Sequence, residues 1–149
     1  MHPVKNLPNQ ARIVVAFVAL SAGGAALAAT EIKGAAILDN PCGKVAVKQM
    51  ALVHAGKIED AQKLSTKETQ EQWKAMPEKE RVMMSGMLKE FSIPGPQYIS
   101  DIKANGVLTV DGPAAVLKIT KKTSDKNGSS TSTMKQKFRI NGNECLVTR

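Results

Sequence analysis

The side chains able to do chemistry in this 149-residue chain are few and scattered. Its two cysteines are Cys42 and Cys145, and no set of partners at metal-ligand spacing surrounds either. In an exported protein such a pair reads as a disulfide, with free buried thiols as the alternative. His54 is a candidate general base because imidazole ordinarily titrates near neutrality. Tyr98 or Asp101 could complete a proton-transfer set if the fold brought them to one cavity. Against this stands the position of His54 at the end of an apolar helical stretch, where it serves the negative pole of the helix dipole.

The methionines Met50, Met76, Met83, Met84, Met87 and Met134 are numerous. Met84 and Met87 stand one helical turn apart, a spacing that would suit two thioether ligands for copper. It is also the spacing of any apolar stripe, and methionine readily fills irregular cores and adaptable pockets. Core or pocket lining is therefore the expectation, and no catalytic residues, cofactor or metal site are assigned. Trp73, the lone tryptophan, reads as the lid of a helical layer or as an anchor for a partner.

Charge is unbalanced, with 21 Lys and Arg against 13 Asp and Glu. Lys118, Lys135, Lys137 and Arg139 should share one face of neighbouring strands, with Lys122 near them. Such a surface could meet an acidic protein or an anionic envelope surface, or be a solvated face that discourages edge pairing. Nucleic acid is not an expected partner, since aromatic stacking platforms are scarce.

The first residues carry an address. A polar segment with Lys5 and Arg12 and no acid precedes the apolar run from Ile13 to Leu20, and Ala26-Leu27-Ala28 is a small-x-small cleavage signal. Residues 1–28 thus read as a signal peptide cut between Ala28 and Ala29, leaving a single domain over residues 29–149. The apolar run dilutes into Ser21-Ala22-Gly23-Gly24-Ala25 before the ~20 residues that spanning requires, so no transmembrane segment is expected after cleavage. A periplasmic location is expected, with an extracellular one as the alternative.

The elements that must position these residues come in two blocks. Asn40-Pro41 is an N-cap followed by proline at the first helical position. It predicts a largely buried helix that ends at Gly56. A short helix over residues 57–64 follows, then a third opened by a capping box at Ser65-Thr66-Lys67-Glu68. A fourth starts at Pro77 with Met84, Met87, Leu88 and Phe91 as its inner stripe. After Pro94-Gly95-Pro96 the period changes to two. Strands are predicted over residues 97–104, 107–110, 114–122, 130–140 and 144–148, with turns at Asp125-Lys126-Asn127-Gly128 and Asn141-Gly142-Asn143. The expected fold class is α+β, with N-terminal helices packed on a curved antiparallel β-sheet.

The helix reading Met50-Ala51-Leu52-Val53-His54-Ala55-Gly56-Lys57-Ile58-Glu59-Asp60-Ala61 joins two further matching features. They are the strand Ala114-Ala115-Val116-Leu117 and the closing Arg139-Ile140-Asn141-Gly142-Asn143-Glu144-Cys145-Leu146. In these, and in its order of elements from Val45 to Leu146, the chain resembles the exported nuclear-transport-factor-2-like superfamily of cystatin-like cone folds. The resemblance implies a sheet wrapped around the first long helix and a cone-shaped pocket, for which Met50, Met84, Met87, Met134, Phe138 and Tyr98 are the candidate lining. Catalytic relatives hold an Asp–His or Asp–Tyr pair inside the cone; here His54 is the only histidine after the signal segment.

The function that follows is a non-catalytic exported binding domain, taking a small apolar ligand in the pocket or an acidic protein on the basic sheet. An envelope inhibitor or immunity-type protein against a secreted hydrolase or toxin is the alternative. A small acid/base enzyme comes third, and either a monomer or a homodimer is compatible with these patterns.

Overall fold

The computed structural model describes residues 28–149. The signal-peptide reading lies almost wholly outside the described residues. Thr30–Lys33 is a short strand, β1, followed by a 3-10 turn over Gly34–Asp39. Five helices come next: α1 Pro41–His54, α2 Ile58–Gln62, α3 Lys67–Ala75, α4 Glu78–Glu90 and α5 Gly95–Asn105. Four strands complete the chain: β2 Gly106–Asp111, β3 Ala114–Asp125, β4 Gly128–Asn141 and β5 Glu144–Thr148. The strands form one antiparallel sheet in the order β1-β2-β3-β4-β5, which is not closed, and helices pack on one face. No helix among the described residues is long and apolar enough to cross a membrane.

Local chemistry explains most boundaries. The Asn40 side chain accepts a hydrogen bond from Cys42 N at 2.8 Å, and Pro41 fills the first turn, where its missing N–H costs nothing. Gly56, at φ +78°, takes the left-handed conformation that releases the chain from α1. The cap of α3 is Thr66 rather than Ser65: its hydroxyl accepts from Thr69 N at 3.3 Å and donates to Thr69 Oγ1 at 3.0 Å. Ser65 is occupied elsewhere, in a parallel bridge to Val147 that, with Thr66 N to Val147 O at 2.8 Å, covers the outer edge of β5.

One expected strand is a helix. Residues 97–104 lie within α5, whose first turn accommodates Pro96 and whose Tyr98 and Ile102 are both buried. A spacing of four keeps two residues on one face in a helix and in a strand alike, so the Tyr98–Ile102 pair does not distinguish the two. Asn105-Gly106 is the junction of α5 with β2.

The core is bounded by α1, α5 and the inner face of the sheet. Ile37 from the 3-10 turn, Ala46, Tyr98, Ile102, Leu108, Leu117 and Phe138 are buried together. The alternation expected along β3 holds, with Ala115, Leu117 and Ile119 all turned inward. Cys42, at the start of α1, is bonded to Cys145 in β5, with their Cα atoms 5.1 Å apart. The bond ties the first helix to the last strand and fits an oxidising compartment. Two helices are less buried than expected. Only Cys42, Gly43 and Ala46 of α1 are fully buried. No residue of α4 is buried, so its Met84, Met87, Leu88 and Phe91 are not a core stripe.

Candidate functional site

What α1 and α4 fail to bury against the core, they turn toward each other. Between them, closed on one side by Ala61 of α2, lies a cavity of about 340 Å³. Gln49, Met50 and Val53 form its α1 wall, and Met84, Met87 and Leu88 its α4 wall. Phe91 and Ser92 stand at one end, and Gln136 of β4 reaches it from the sheet. The mouth is unusually apolar for a solvent-facing surface: Phe91 is 73% exposed and Met87 46%. A smaller hollow of about 170 Å³ adjoins it, because Gln49, Gln62, Met84 and Leu88 wall both. That hollow continues toward Trp73 and Val147.

Polar groups in the cavity are few and defined. Gln136 Nε2 donates to Gln49 Oε1, joining the sheet to α1 at the cavity wall. The backbone N–H of Ile93 donates to Met50 Sδ at 3.4 Å, holding that thioether in place. Ser92 Oγ donates its only proton to Lys89 O at 2.6 Å. The 2.8 Å contact between Ser92 Oγ and His54 Nδ1 therefore has the imidazole N–H as its donor. His54 thus clasps the end of α1 to the end of α4.

The three residues considered for acid/base work have separate engagements. Asp101 pairs with Lys121 Nζ at 3.2 Å. Tyr98 is buried in the core, and burial pushes its hydroxyl up to about 12. None of His54, Tyr98 and Asp101 lines the cavity. Among the described residues no group of three or more His, Cys, Asp or Glu side chains is placed to hold a metal ion.

Of the residues expected to line a pocket, Met50, Met84 and Met87 meet at this cavity. Phe138 and Tyr98 instead fill the core, and Met134 packs against it. Leu88 and Phe91, expected in the inner stripe of the fourth helix, stand at the cavity instead, and Val53 and the two glutamines join them there. The i, i+4 relation of Met84 and Leu88 was the available signal, read as core. Trp73 is a buried lid, and its Nε1–H donates to Glu59 Oε1 at 3.0 Å.

On the opposite face of the sheet, Lys118 of β3 stands directly across from Lys135 of β4. Lys137 lies opposite Val116 and Arg139 opposite Ala114, so all four expected basic residues share one face. Arg139 pairs with Glu68 at 3.6 Å. The Glu68 carboxyl is held below its usual range, first by a backbone hydrogen bond at its own position and then by Arg139.

No protein-family model, curated protein or solved structure matches this chain.

Proposed function

We propose that this protein is an exported, non-catalytic binding domain of the cone type that takes a small apolar ligand into the cavity between α1, α2 and α4. The observation that carries the reading is an apolar cavity of about 340 Å³, within the ~300–1,000 Å³ range typical of small-molecule sites. Three methionines line it, and their flexible thioethers adapt to irregular apolar shapes. The Gln49–Gln136 pair leaves one amide N–H pair and one carbonyl oxygen available to orient a polar group on the ligand. Because α4 buries no residue fully, it can shift outward at small cost to admit a guest.

The test is native mass spectrometry of the protein recovered from its producing compartment, followed by thermal shift with medium- and long-chain fatty acids and alcohols. The reading predicts a small adduct lost on organic extraction and a melting temperature raised by at least one class of amphiphile. A bare mass with no thermal response to either class contradicts it.

A further inference from the structure

The charge of the described region is concentrated in one hairpin. Between Ala114 and Asn141, β3, β4 and the turn that joins them carry seven lysines and arginines, Lys126 of the turn included, and a single acid, Asp125. The remaining residues of 28–149 hold twelve charges of each sign and cancel. The hairpin is also longer than the sheet it belongs to. Pairing with β2 ends at Ile119 and pairing with β5 at Lys137, whereas β3 and β4 pair with each other out to Asp125 and Gly128. The projecting ribbon is latched by hydroxyl contacts, Thr120 with Thr133 at 3.3 Å and Thr123 with Ser130 at 2.7 Å.

Register sorts these cations by face. Lys121 turns inward to Asp101, while Lys118, Lys122, Lys135, Lys137 and Arg139 share the outer face. Among the described residues Lys118, Lys122, Lys135 and Lys137 have no carboxylate in ion-pair range. Directly opposed like charges destabilise a strand pair, and Lys118 faces Lys135. An anion brought to this face would relieve that repulsion.

We infer that the outer face of the β3–β4 hairpin docks on an anionic lipid bilayer surface. The register sets these lysines in rows on one face, about 7 Å apart along a strand, and so presents several cations at once to a surface of anionic headgroups. The centre of a protein interface is enriched in aromatic residues and depleted in lysine, and the one aromatic of the sheet, Phe138, is buried on the other side. Single-stranded nucleic acid would need stacking platforms that this face lacks. Charge is the recognition element, so docking is shallow, reversible and sensitive to salt.

Co-sedimentation of the intact protein with vesicles tests the assignment. One set is phosphatidylcholine alone, and the other is phosphatidylcholine mixed with phosphatidylglycerol. Binding only to the anionic set is expected, abolished near 1 M salt, where the screening length falls to about 3 Å. The triple variant Lys118→Gln, Lys135→Gln, Lys137→Gln should bind the anionic set weaker by roughly fivefold per lysine, on the order of a hundredfold in all. These side chains are exposed, so the variant keeps its fold. Lys63→Gln, just past the end of α2 and paired with Asp60, should change nothing. Equal binding to both vesicle sets, or an unweakened triple variant, overturns the inference. So does salt-sensitive binding to soluble polyglutamate without binding to anionic vesicles, since that outcome identifies an acidic protein as the partner.

Discussion

The side-chain amide of Gln136 on β4 donates to Gln49 Oε1 on α1, a bond between residues 87 apart in sequence that forms at the wall of the apolar cavity. It fixes the distance between sheet and helix where neither is tightly packed. The same pair supplies the cavity's polar feature on that wall, so one contact serves both the frame and the proposed site.

Gln136→Met keeps the length and volume of the side chain while leaving Gln49 with an unmatched acceptor. A loss of about 1 kcal/mol of stability is expected, read as a lower urea midpoint with an unchanged slope. Binding of a plain hydrocarbon should survive, whereas binding of an alcohol or acid of the same chain length should weaken.

The Cys42–Cys145 bond closes 103 residues of chain. Replacing both cysteines by alanine should cost roughly 2–5 kcal/mol, and treatment of the native protein with a reductant should lower its urea midpoint to a similar degree. A double variant as stable as the native protein would show that the bond adds little to the packing of α1 on β5.

Tyr98 is the only tyrosine, and burial pushes its hydroxyl up from the ordinary tyrosine value of 10.0 to about 12. In this range the unfolded chain loses a proton that the folded protein keeps, so the contribution to stability is intact below pH 10 and falls as pH rises toward 12. The fall should approach ~1.4 kcal/mol per pH unit. Urea titrations of native protein and Tyr98→Phe across this interval should diverge, with the variant less sensitive to alkali.

Two glycines predict opposite outcomes. A Cβ on Gly43 would lie 1.8 Å from Ile37 O, because the 3-10 turn crosses the first turn of α1 at close range. Gly43→Ala should therefore destabilise by about 3 kcal/mol or more. Gly86, exposed in the middle of α4, has nothing within 4 Å of the same position. Gly86→Ala should stabilise by roughly 0.5–1 kcal/mol. Thermal melts of the two variants decide both.

Elements announced by local chemistry were legible in the sequence. Asn40, Pro41 and Gly56 bracket α1, and the alternation of Ala115, Leu117 and Ile119 marks the inner face of β3. What escaped depends on contacts distant in sequence. β1 is a four-residue strand whose signal is its pairing with β2, Thr30 with Val110, about 80 positions away. The segment that forms α5 reads as a strand in the sequence because Tyr98 and Ile102 satisfy both periods. The cavity is the clearest case. The apolar positions of α4 predict burial, but whether Met84 and Leu88 meet the core or an open space depends on how far α4 stands from α1.

The central claim is that this open space is a binding site, and a fluorescence titration with the uncharged apolar dye N-phenyl-naphthylamine tests it most directly. Met84 lines the cavity, whereas its neighbour Met83 is 62% exposed. The account predicts saturable binding of one dye per native protein, a loss of at least about tenfold in affinity for Met84→Arg, given the cost of a charge in an apolar site, and no change for Met83→Arg. Absence of saturable binding by the native protein, or equal loss in the two variants, would contradict it.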